Sequence, residues 1–374
     1  MSEMLRVRRP ARTTFRQSSS LRGLSRVPVW VWKALMMRLT PAEVHKFNVE
    51  PIDTVDYHFD IDYVGEGMRD QRLDVLVPHG FDEPLPVYIY FHGGGWTSGD
   101  KAPLTKYCAS QARDGMVVVN VNYRMATEYL LKDMLDDGNS VLDWVKRNIT
   151  AFGGDASRIV LGGDSAGGHI SALLAAATFD SDLAAHYDIH PHIERDHLRG
   201  LVQHCSMPDF SVIFERGFIL SQNFMRMLLP GRGRGQSLKK ASRFLNPIEW
   251  LDKGFPPVFL TTSERDFFYE ANLNFVEALR RRALPVDTLI YSRDRVNTKH
   301  TWQQDAKHPE SQEVYRRLGA FVRNVAAVAS ATTTAVGIVQ ADDLSARAAG
   351  PTRLPPQIPM LKAPAVPLSA LAAA

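Results

Sequence analysis

The sequence predicts an α/β fold in which a mostly parallel sheet of eight strands is flanked by helices and carries a helical cap. From about residue 55, short runs rich in Val, Ile and Leu alternate with longer helical patterns. This alternation is typical of a parallel sheet covered on both faces. The 374 residues, 45% of them hydrophobic, suffice for one large core. Residues 206–252 break the alternation and contain no obvious strand, so we interpret them as an inserted helical cap.

Eight segments carry the strand pattern. The first two lie close together with the turn Gly65–Gly67 between them, which predicts an antiparallel hairpin. The later ones are short apolar runs, as expected of buried parallel strands. The predicted strands are Val55–Val64, Arg72–Pro78, Val87–His92, Met116–Asn122, Arg158–Gly163, Arg199–Cys205, Pro257–Thr262 and Val286–Tyr291.

Five helical patterns lie between or after these strands, and their lengths suit crossover connections. They are Pro103–Asp114, Asp133–Phe152, Ala166–Asp180, Tyr269–Ala283 and Pro309–Val328.

The N-terminal region differs from the core in composition. Residues 1–26 hold seven arginines against one acidic residue, Glu3. This bias predicts a disordered basic arm, with a mitochondrial transit peptide as the alternative. Residues 27–50 begin with a run dense in Trp, Leu and Met, Val27–Leu39, which predicts a short helix. We interpret this segment as a cap over an active site, with a membrane-surface helix as the alternative.

Residues 51–330 are predicted to form the catalytic core, including the insertion at 206–252. Residues 331–374 contain six prolines, many alanines and no aromatic residue. Such a segment cannot bury enough apolar surface to order itself, so we expect a disordered tail.

Charge and cysteine content exclude several functional classes. The net charge of +3 is small for this length, and no basic patch indicates nucleic-acid binding. Cys108 and Cys205 lack metal-ligand spacing and a disulfide pattern, so we expect two buried thiols and no metal. No apolar run approaches the roughly 20 residues that span a bilayer. We therefore expect a soluble, cytoplasmic protein without stable membrane insertion, or a mitochondrial one if the basic arm is a transit peptide; the oligomeric state stays open.

The stretch Gly163–Gly167, which reads Gly-Asp-Ser-Ala-Gly, is the most specific signal in the chain. It follows a predicted strand and precedes a helical pattern, the context of a nucleophile elbow. A serine on such a sharp turn needs small residues two positions before and after it. We therefore predict Ser165 as the nucleophile, with Asp164 as a supporting residue; the alternative is an ordinary glycine-rich turn.

A second signal, His92–Trp96, ends the strand pattern of Pro86–Phe91. Three successive glycines let the backbone turn its N–H groups toward a developing oxyanion, where the amide of Ala166 would join them. His92, Gly95 and Trp96 are predicted to support this loop. A phosphate-binding loop is the competing idea, but the P-loop Lys-Ser/Thr and the order of a dinucleotide site are both missing.

A nucleophilic serine needs a base and an orienting acid. Asp266 follows the strand pattern that ends at Thr262, and His300 lies in the loop before the last helix. These positions give the chain order Ser, Asp, His, so we predict Asp266 as the acid and His300 as the base. The alternatives are Glu264 and Asp294 for the acid and His308 for the base.

His-Gly-Gly-Gly-Trp followed by Gly-Asp-Ser-Ala-Gly-Gly-His resembles the hormone-sensitive-lipase-like esterases, also known as the bacterial family IV carboxylesterases. The likeness covers residues 80 to 325 and includes Asn122–Arg124, Asn246-Pro247 and the run Pro256–Asp266. The resemblance implies an eight-stranded α/β-hydrolase core with a helical cap, and carboxylesterase activity without a cofactor. By position it implies Ser165, Asp266 and His300 as the triad, with Gly93, Gly94 and Ala166 as the oxyanion donors.

Two departures from the family pattern concern loops near the site. The family usually continues Tyr-Arg with Leu-Ala-Pro-Glu and a proline-rich segment, whereas Met125–Leu131 contains no proline. The interval of 34 residues from Asp266 to His300 is slightly longer than in the family pattern. The extra length is expected to fall in the loop Ser292–Lys299, just before His300. Neither departure removes a residue of the predicted triad.

These observations predict a serine hydrolase that cleaves small-molecule esters through an acyl-enzyme. Three rivals use the same scaffold. An amidase or arylformamidase, and a hydrolase specialised for one biosynthetic acyl intermediate, would share the triad. A non-catalytic ligand receptor is the rival from another class, and the presence of His300 argues against it.

Overall fold

The structure, a computed structural model, describes residues 29–48, 50–215, 222–230 and 238–327. The predicted basic arm at 1–26 and tail at 331–374 lie outside the described residues and stay predictions.

The fold is an eight-stranded sheet with the order β1-β2-β4-β3-β5-β6-β7-β8. Strand β2 runs antiparallel to β1 and β4, and every pair from β4-β3 to β7-β8 is parallel. The predicted α/β class and the antiparallel start are confirmed. The strands are β1 Val55–Asp62, β2 Arg72–Pro78, β3 Leu85–Phe91, β4 Val117–Val121, β5 Gly154–Asp164, β6 Leu198–His204, β7 Val258–Ser263 and β8 Val286–Tyr291.

All eight predicted strands exist, and their bounds differ by a few residues. The largest difference is β5, predicted from Arg158 but beginning at Gly154. Leu85 pairs with Gly154 and Pro86 with Asp155 before the register shifts. Because this pairing depends on a partner strand 69 positions away, the local hydrophobic pattern gave no sign of it.

Side chains of the central strands alternate between two apolar clusters. Val87, Ile89 and Phe91 of β3 belong to one cluster, while Tyr88 and Tyr90 belong to the other. This period of two is the geometry of an extended strand. Burial on both faces explains why these strands are nearly continuous apolar runs.

Helices cover both faces. Helices α3, α4 and α8 contribute to the first cluster, and α2 and α9 to the second. The helices within the described residues are α1 Val29–Phe47, α2 Thr105–Arg113, α3 Leu131–Asn148, α4 Ser165–Phe179, α5 Ser181–Tyr187, α6 Gln222–Leu228, α7 Leu238–Leu245, α8 Tyr269–Arg281 and α9 Pro309–Ala327.

The predictions missed α5 and misjudged the end of α1. Helix α5 is short, and the Asp180 carboxylate caps it by accepting hydrogen bonds from the amides of Asp182 and Leu183, both 3.0 Å long. Helix α1 continues through Pro41 to Phe47, although an interior proline costs about 3 kcal/mol.

Contacts with the core offset this cost in α1. The side chain of Asn48, just after the helix, accepts from the Lys106 amide at 3.0 Å and donates to the carbonyl of Ala102. At the other end, the Lys33 ammonium lies 2.6 Å from the Glu128 carboxylate. A tertiary anchor of this kind is not visible in local sequence. None of the described helices combines the length and apolar character that crossing a bilayer requires.

The insertion predicted at 206–252 is helical where the structure describes it. It contains α6, α7 and short 3-10 turns at Phe210–Phe214 and Pro247–Trp250. The insertion is fixed to α8, because the Asn272 side chain donates to the carbonyl of Ser206 at 2.9 Å. Residues 216–221 and 231–237 lie outside the description, and the role of the insertion as a cap stays a prediction.

Candidate active site

Ser165 is the first residue of α4 and directly follows the end of β5. Its φ of 51° is left-handed, a strained conformation for a residue with a Cβ. The turn requires glycine at position 167, where a Cβ would lie 2.0 Å from the carbonyl oxygen of Phe91. The sharp strand-to-helix turn predicted from the sequence is therefore present.

Ser165 and His300 line the same cavity, which has a volume of about 220 Å³. The loop after β3, the start of α4 and the loops after β7 and β8 all contribute to its wall. These are the carboxyl ends of parallel strands, where such sheets gather their ligand sites. The lining residues are Glu43, His92, Gly93, Gly94, Gly95, Gly99, Asp100, Pro103, Leu104, Asp164, Ser165, Phe267, Phe268, His300, Thr301 and Gln304.

His300 and Asp266 form a direct hydrogen bond, with 2.7 Å between His300 Nδ1 and Asp266 Oδ1. The Asp266 side chain is fully buried and also accepts from the Phe268 amide at 3.1 Å and the Thr262 hydroxyl at 3.0 Å. With Nδ1 donating to the carboxylate, Nε2 of the neutral imidazole is left as a proton acceptor.

The other candidates for acid and base have different partners. The Glu264 carboxylate accepts from the Arg293 amide at 2.9 Å, and His308 lies 3.5 Å from Asp305. The Arg293 contact and a hydrogen bond from Ser263 to the carbonyl of Thr298 tie the loop before His300 to the β7–α8 loop. The long interval before His300 thus forms a loop fixed at both ends.

The structure brings Ser165 and His300 to one cavity without a hydrogen bond between them. Within the described residues the Ser165 hydroxyl has no hydrogen-bond partner. Bonds between nucleophile and base are often long in unliganded enzymes and shorten when substrate binds. The side chain of His300 is held beside the Phe267 ring, with 3.9 Å between ring centroids.

Backbone conformation explains the glycines of the His92–Trp96 loop. Gly94 has a φ of 126°, and a Cβ there would lie 1.9 Å from the carbonyl oxygen of Ser98. Two residues after β4 donate hydrogen bonds to backbone carbonyls of the His92–Trp96 loop. The Tyr123 hydroxyl donates to the carbonyl of His92 at 2.7 Å, and the Ala126 amide donates to that of Trp96 at 2.8 Å.

The amides predicted for the oxyanion differ in their bonding. The N–H groups of Gly94 and Ala166 have no hydrogen-bond partner within the part of the chain that the structure describes. The Gly93 N–H already donates to Asp164 Oδ1 at 3.1 Å. The predicted contribution of Gly93 to an oxyanion site therefore requires that bond to be exchanged, whereas Gly94 and Ala166 are free to donate.

Asp164 joins three separate parts of the chain. Besides the Gly93 amide, its carboxylate accepts from the Tyr90 hydroxyl at 2.6 Å and from the Gln304 amide group at 3.2 Å. Burial raises the pKa of Asp164, while the Tyr90 hydroxyl, the Gly93 amide and the nearby histidines oppose that shift. Asp164 therefore fixes the glycine loop and the segment after His300 relative to the nucleophile turn.

Two further histidines, His92 and His169, contact the loop. The ring of His92 contacts the carbonyl oxygen of Gly93 through Nδ1 at 2.7 Å and stacks on Tyr123. His169 accepts from the Trp96 indole at 3.1 Å and lies 2.7 Å from the carbonyl of Leu245 in the insertion. Burial lowers the pKa of His169 to about 4, so this histidine is neutral at pH 7 and links the glycine loop to the insertion.

Cys108 and Cys205 are both buried free thiols, as expected. Cys205 lies against the Asp266 carboxylate, and burial raises the pKa of its thiol well above the usual value. Potential metal-ligating atoms of Cys205, Asp266 and His300 lie within 4.8 Å of one another. An ion held by all three residues would have to replace the hydrogen bond between Asp266 and His300.

Several lining residues were not predicted from the sequence. Glu43 comes from α1, 122 positions before the predicted nucleophile, and no local motif marks it. Phe267 and Phe268 follow Asp266 directly, and Gln304 lies one helical turn after His300. Their proximity in sequence to the predicted triad was the signal that could have identified them.

Comparisons with known proteins identify the fold and the family. A family model described as alpha/beta hydrolase fold matches residues 88–296. The chain is 31% identical over 233 residues to carboxylesterase NlhH of Mycobacterium tuberculosis, covering 59% of this chain and 69% of that protein. A local stretch of 109 residues is 43% identical to a probable N-octanoylanthranilate hydrolase, AqdA2, of Rhodococcus erythropolis, covering 26% of this chain and 24% of that protein. The fold is similar to that of esterase B from Lactobacillus rhamnosis, with a TM-score of 0.70 at 20% identity, covering 82% and 96% of the two chains.

Proposed function

Because the chain belongs to the α/β-hydrolase fold family, among the hormone-sensitive-lipase-like carboxylesterases, we propose that it hydrolyses small esters through an acyl-enzyme on Ser165. The chain is a carboxylic ester hydrolase. The observation that carries the proposed site is the 2.7 Å bond between His300 and Asp266, in a cavity that also exposes Ser165 on its strained turn.

In the first half of the reaction, Ser165 Oγ attacks the ester carbonyl carbon and His300 Nε2 takes the serine proton. The carbonyl oxygen becomes an oxyanion, and the amides of Gly94 and Ala166 donate to it. Each such donor contributes about 3 kcal/mol to the transition state, because the charge it meets is absent in the ground state. Asp266 stabilises the imidazolium that forms.

In the second half, the tetrahedral intermediate collapses and the C–O bond to the alcohol breaks. The imidazolium of His300 gives its proton to the leaving alkoxide, which departs as the alcohol. Water then attacks the acyl-enzyme while His300 takes one of its protons. Collapse of the second intermediate releases the carboxylic acid and returns the proton to Ser165.

The test compares the turnover of p-nitrophenyl esters of increasing chain length by the wild type and by Ser165→Ala. We expect Ser165→Ala to lose at least roughly 10³-fold in kcat and to lose labelling by a fluorophosphonate probe. Ser181→Ala is the matched control, because Ser181 is exposed on α5. Retention of activity within about tenfold by Ser165→Ala, with a native thermal unfolding curve, would contradict the assignment.

An amidase is the second candidate, and the local identity to a protein named as a probable N-octanoylanthranilate hydrolase favours it. Amide and ester hydrolysis require the same triad and differ in leaving-group protonation. Side-by-side turnover of an aryl formate and the matching N-formyl aniline distinguishes the two. A kcat/KM for the anilide equal to or above that of the ester would assign the amidase.

A further inference from the structure

One charged side chain in the cavity has no part in the proposed chemistry. Glu43 reaches the cavity from α1, whereas the groups of the proposed reaction lie between positions 94 and 300. The side chain of Glu43 is partly buried, and within the described residues its carboxylate accepts no hydrogen bond. The structure therefore leaves one carboxylate of the cavity wall available to a bound molecule.

A nearby cation, Lys46, lowers the pKa of Glu43 through its charge, but it makes no hydrogen bond with that carboxylate among the described residues. Lys46, one turn along α1, lies 3.7 Å from Asp305 and 4.5 Å from the ring of Phe47. Asp164 is occupied by three donors, and Asp100 accepts from the Ala102 amide at 2.9 Å. Glu43 differs from these two carboxylates of the wall because it lacks such a donor.

The charge of the cavity wall is one-sided. Glu43, Asp100 and Asp164 line it, and no lysine or arginine does so among the residues described. The aromatic side chains of Phe267 and Phe268 also line the cavity. A carboxylate in a confined, partly dry space attracts an opposite charge more strongly than it does in bulk water. The wall is thus complementary to a positively charged group attached to the ester.

We infer that Glu43 makes this cavity selective for esters that carry an ammonium group. The inference rests on the proposed function, because it concerns the substrate that reaches Ser165. Burial and the Asp164 charge raise the pKa of Glu43, whereas the Lys46 charge opposes this shift. A bound cation would act in the same direction as Lys46 and favour the ionised form of Glu43. Glu43 is a specificity-determining residue in this scheme and takes no part in proton transfer.

Charge isosteres test the inference. Acetylcholine and 3,3-dimethylbutyl acetate have the same shape and differ by one positive charge on the alcohol side. Betaine ethyl ester and ethyl 3,3-dimethylbutanoate place the same difference on the acyl side. In at least one pair we expect Glu43→Gln to lower the cation-to-neutral ratio of kcat/KM roughly tenfold relative to the wild type.

The controls separate the charge of Glu43 from its packing. Glu43→Asp keeps the charge and is expected to retain most of the ratio. Glu50→Gln removes the same charge from an exposed residue just after α1 and is expected to leave the ratio unchanged. Comparing ratios between variants also cancels the different intrinsic reactivities of the esters.

A ratio that is the same in the wild type and in Glu43→Gln for both pairs would overturn the inference. An equal decrease of the cation-to-neutral ratio in Glu50→Gln and in Glu43→Gln would also overturn it, because the effect would then come from the net charge of the protein and not from the position of Glu43. If neutral esters are turned over and Ser165 is labelled, such results leave the proposed function intact. Absence of both turnover and labelling would instead refute the proposed function itself.

Discussion

Replacing Gly94 with alanine should remove most of the catalytic activity while the chain still folds. Gly94 has a φ of 126° and a Cβ at this position would lie 1.9 Å from the carbonyl oxygen of Ser98. Contacts of that kind are close to 3.4 Å in ordinary packing, so the loop must move by more than about 1 Å. The amide proposed to bind the oxyanion moves with it.

The magnitude follows from the hydrogen bond that is lost. A donor about 2.9 Å from its acceptor no longer forms a bond after a displacement of this size. Loss of one oxyanion donor costs about 3 to 4 kcal/mol in the transition state, which corresponds to roughly 10² to 10³ in kcat. The strain of a left-handed residue adds about 1 to 3 kcal/mol to the free energy of folding.

Gly153→Ala is the matched control for this strain. Gly153 has a φ of 73°, and a Cβ there would meet no atom within 4 Å. Both variants should lower the free energy of unfolding, measured in urea, whereas Gly94→Ala alone should lower kcat for p-nitrophenyl acetate. The concentration of active sites, counted with a fluorophosphonate, corrects for inactive protein. A kcat of Gly94→Ala within threefold of that of Gly153→Ala would refute the reasoning.

Two further predictions concern the acid and a buried histidine. Asp266→Asn should lower kcat roughly 10³- to 10⁴-fold, because the amide no longer fixes the His300 tautomer or stabilises its charged form. Asp294→Asn is the control. A decrease in kcat of less than tenfold for Asp266→Asn would refute the role of Asp266 as the acid. The pKa of His169 is about 4 in the folded chain, below the value of about 6.5 for a free histidine, so the unfolded chain binds a proton first as the pH falls. The stability that neutral His169 contributes is therefore complete above about pH 6.5. It is lost as the pH falls toward 4, by roughly 3 kcal/mol in total. Between pH 7 and pH 5, the free energy of unfolding measured in urea should therefore fall less for His169→Gln than for the wild type or for the exposed control His190→Gln. Equal decreases in all three proteins would contradict this role of His169.

The strands and most helices were predictable because burial on both faces leaves a strong local signal. The runs around Val87–Phe91 and Val117–Val121 are apolar enough to be recognised without a partner. The extended start of β5 and the continuation of α1 past Pro41 were not predictable, since each depends on contacts with distant residues. Local sequence patterns therefore predicted the existence of strands and helices better than they predicted their ends.

The candidate site divides in the same way. Ser165 and the glycine loop could be located because strained turns demand glycine at fixed offsets, and those glycines are visible in sequence. The hydrogen bond from Gly93 to Asp164 was missed, because nothing in either motif says that a side chain of one accepts from the backbone of the other. Glu43 was missed because a single acidic residue on a helix forms no recognisable motif.

Helix α1 contributes one residue, Glu43, to the described wall of the cavity, and its C-terminal end is fastened to the core through Asn48. The groups proposed to act on the ester bond, Ser165, Asp266 and His300, all lie in the later part of the chain. A substitution on α1 can therefore change which esters bind without altering any of the residues proposed to react with them.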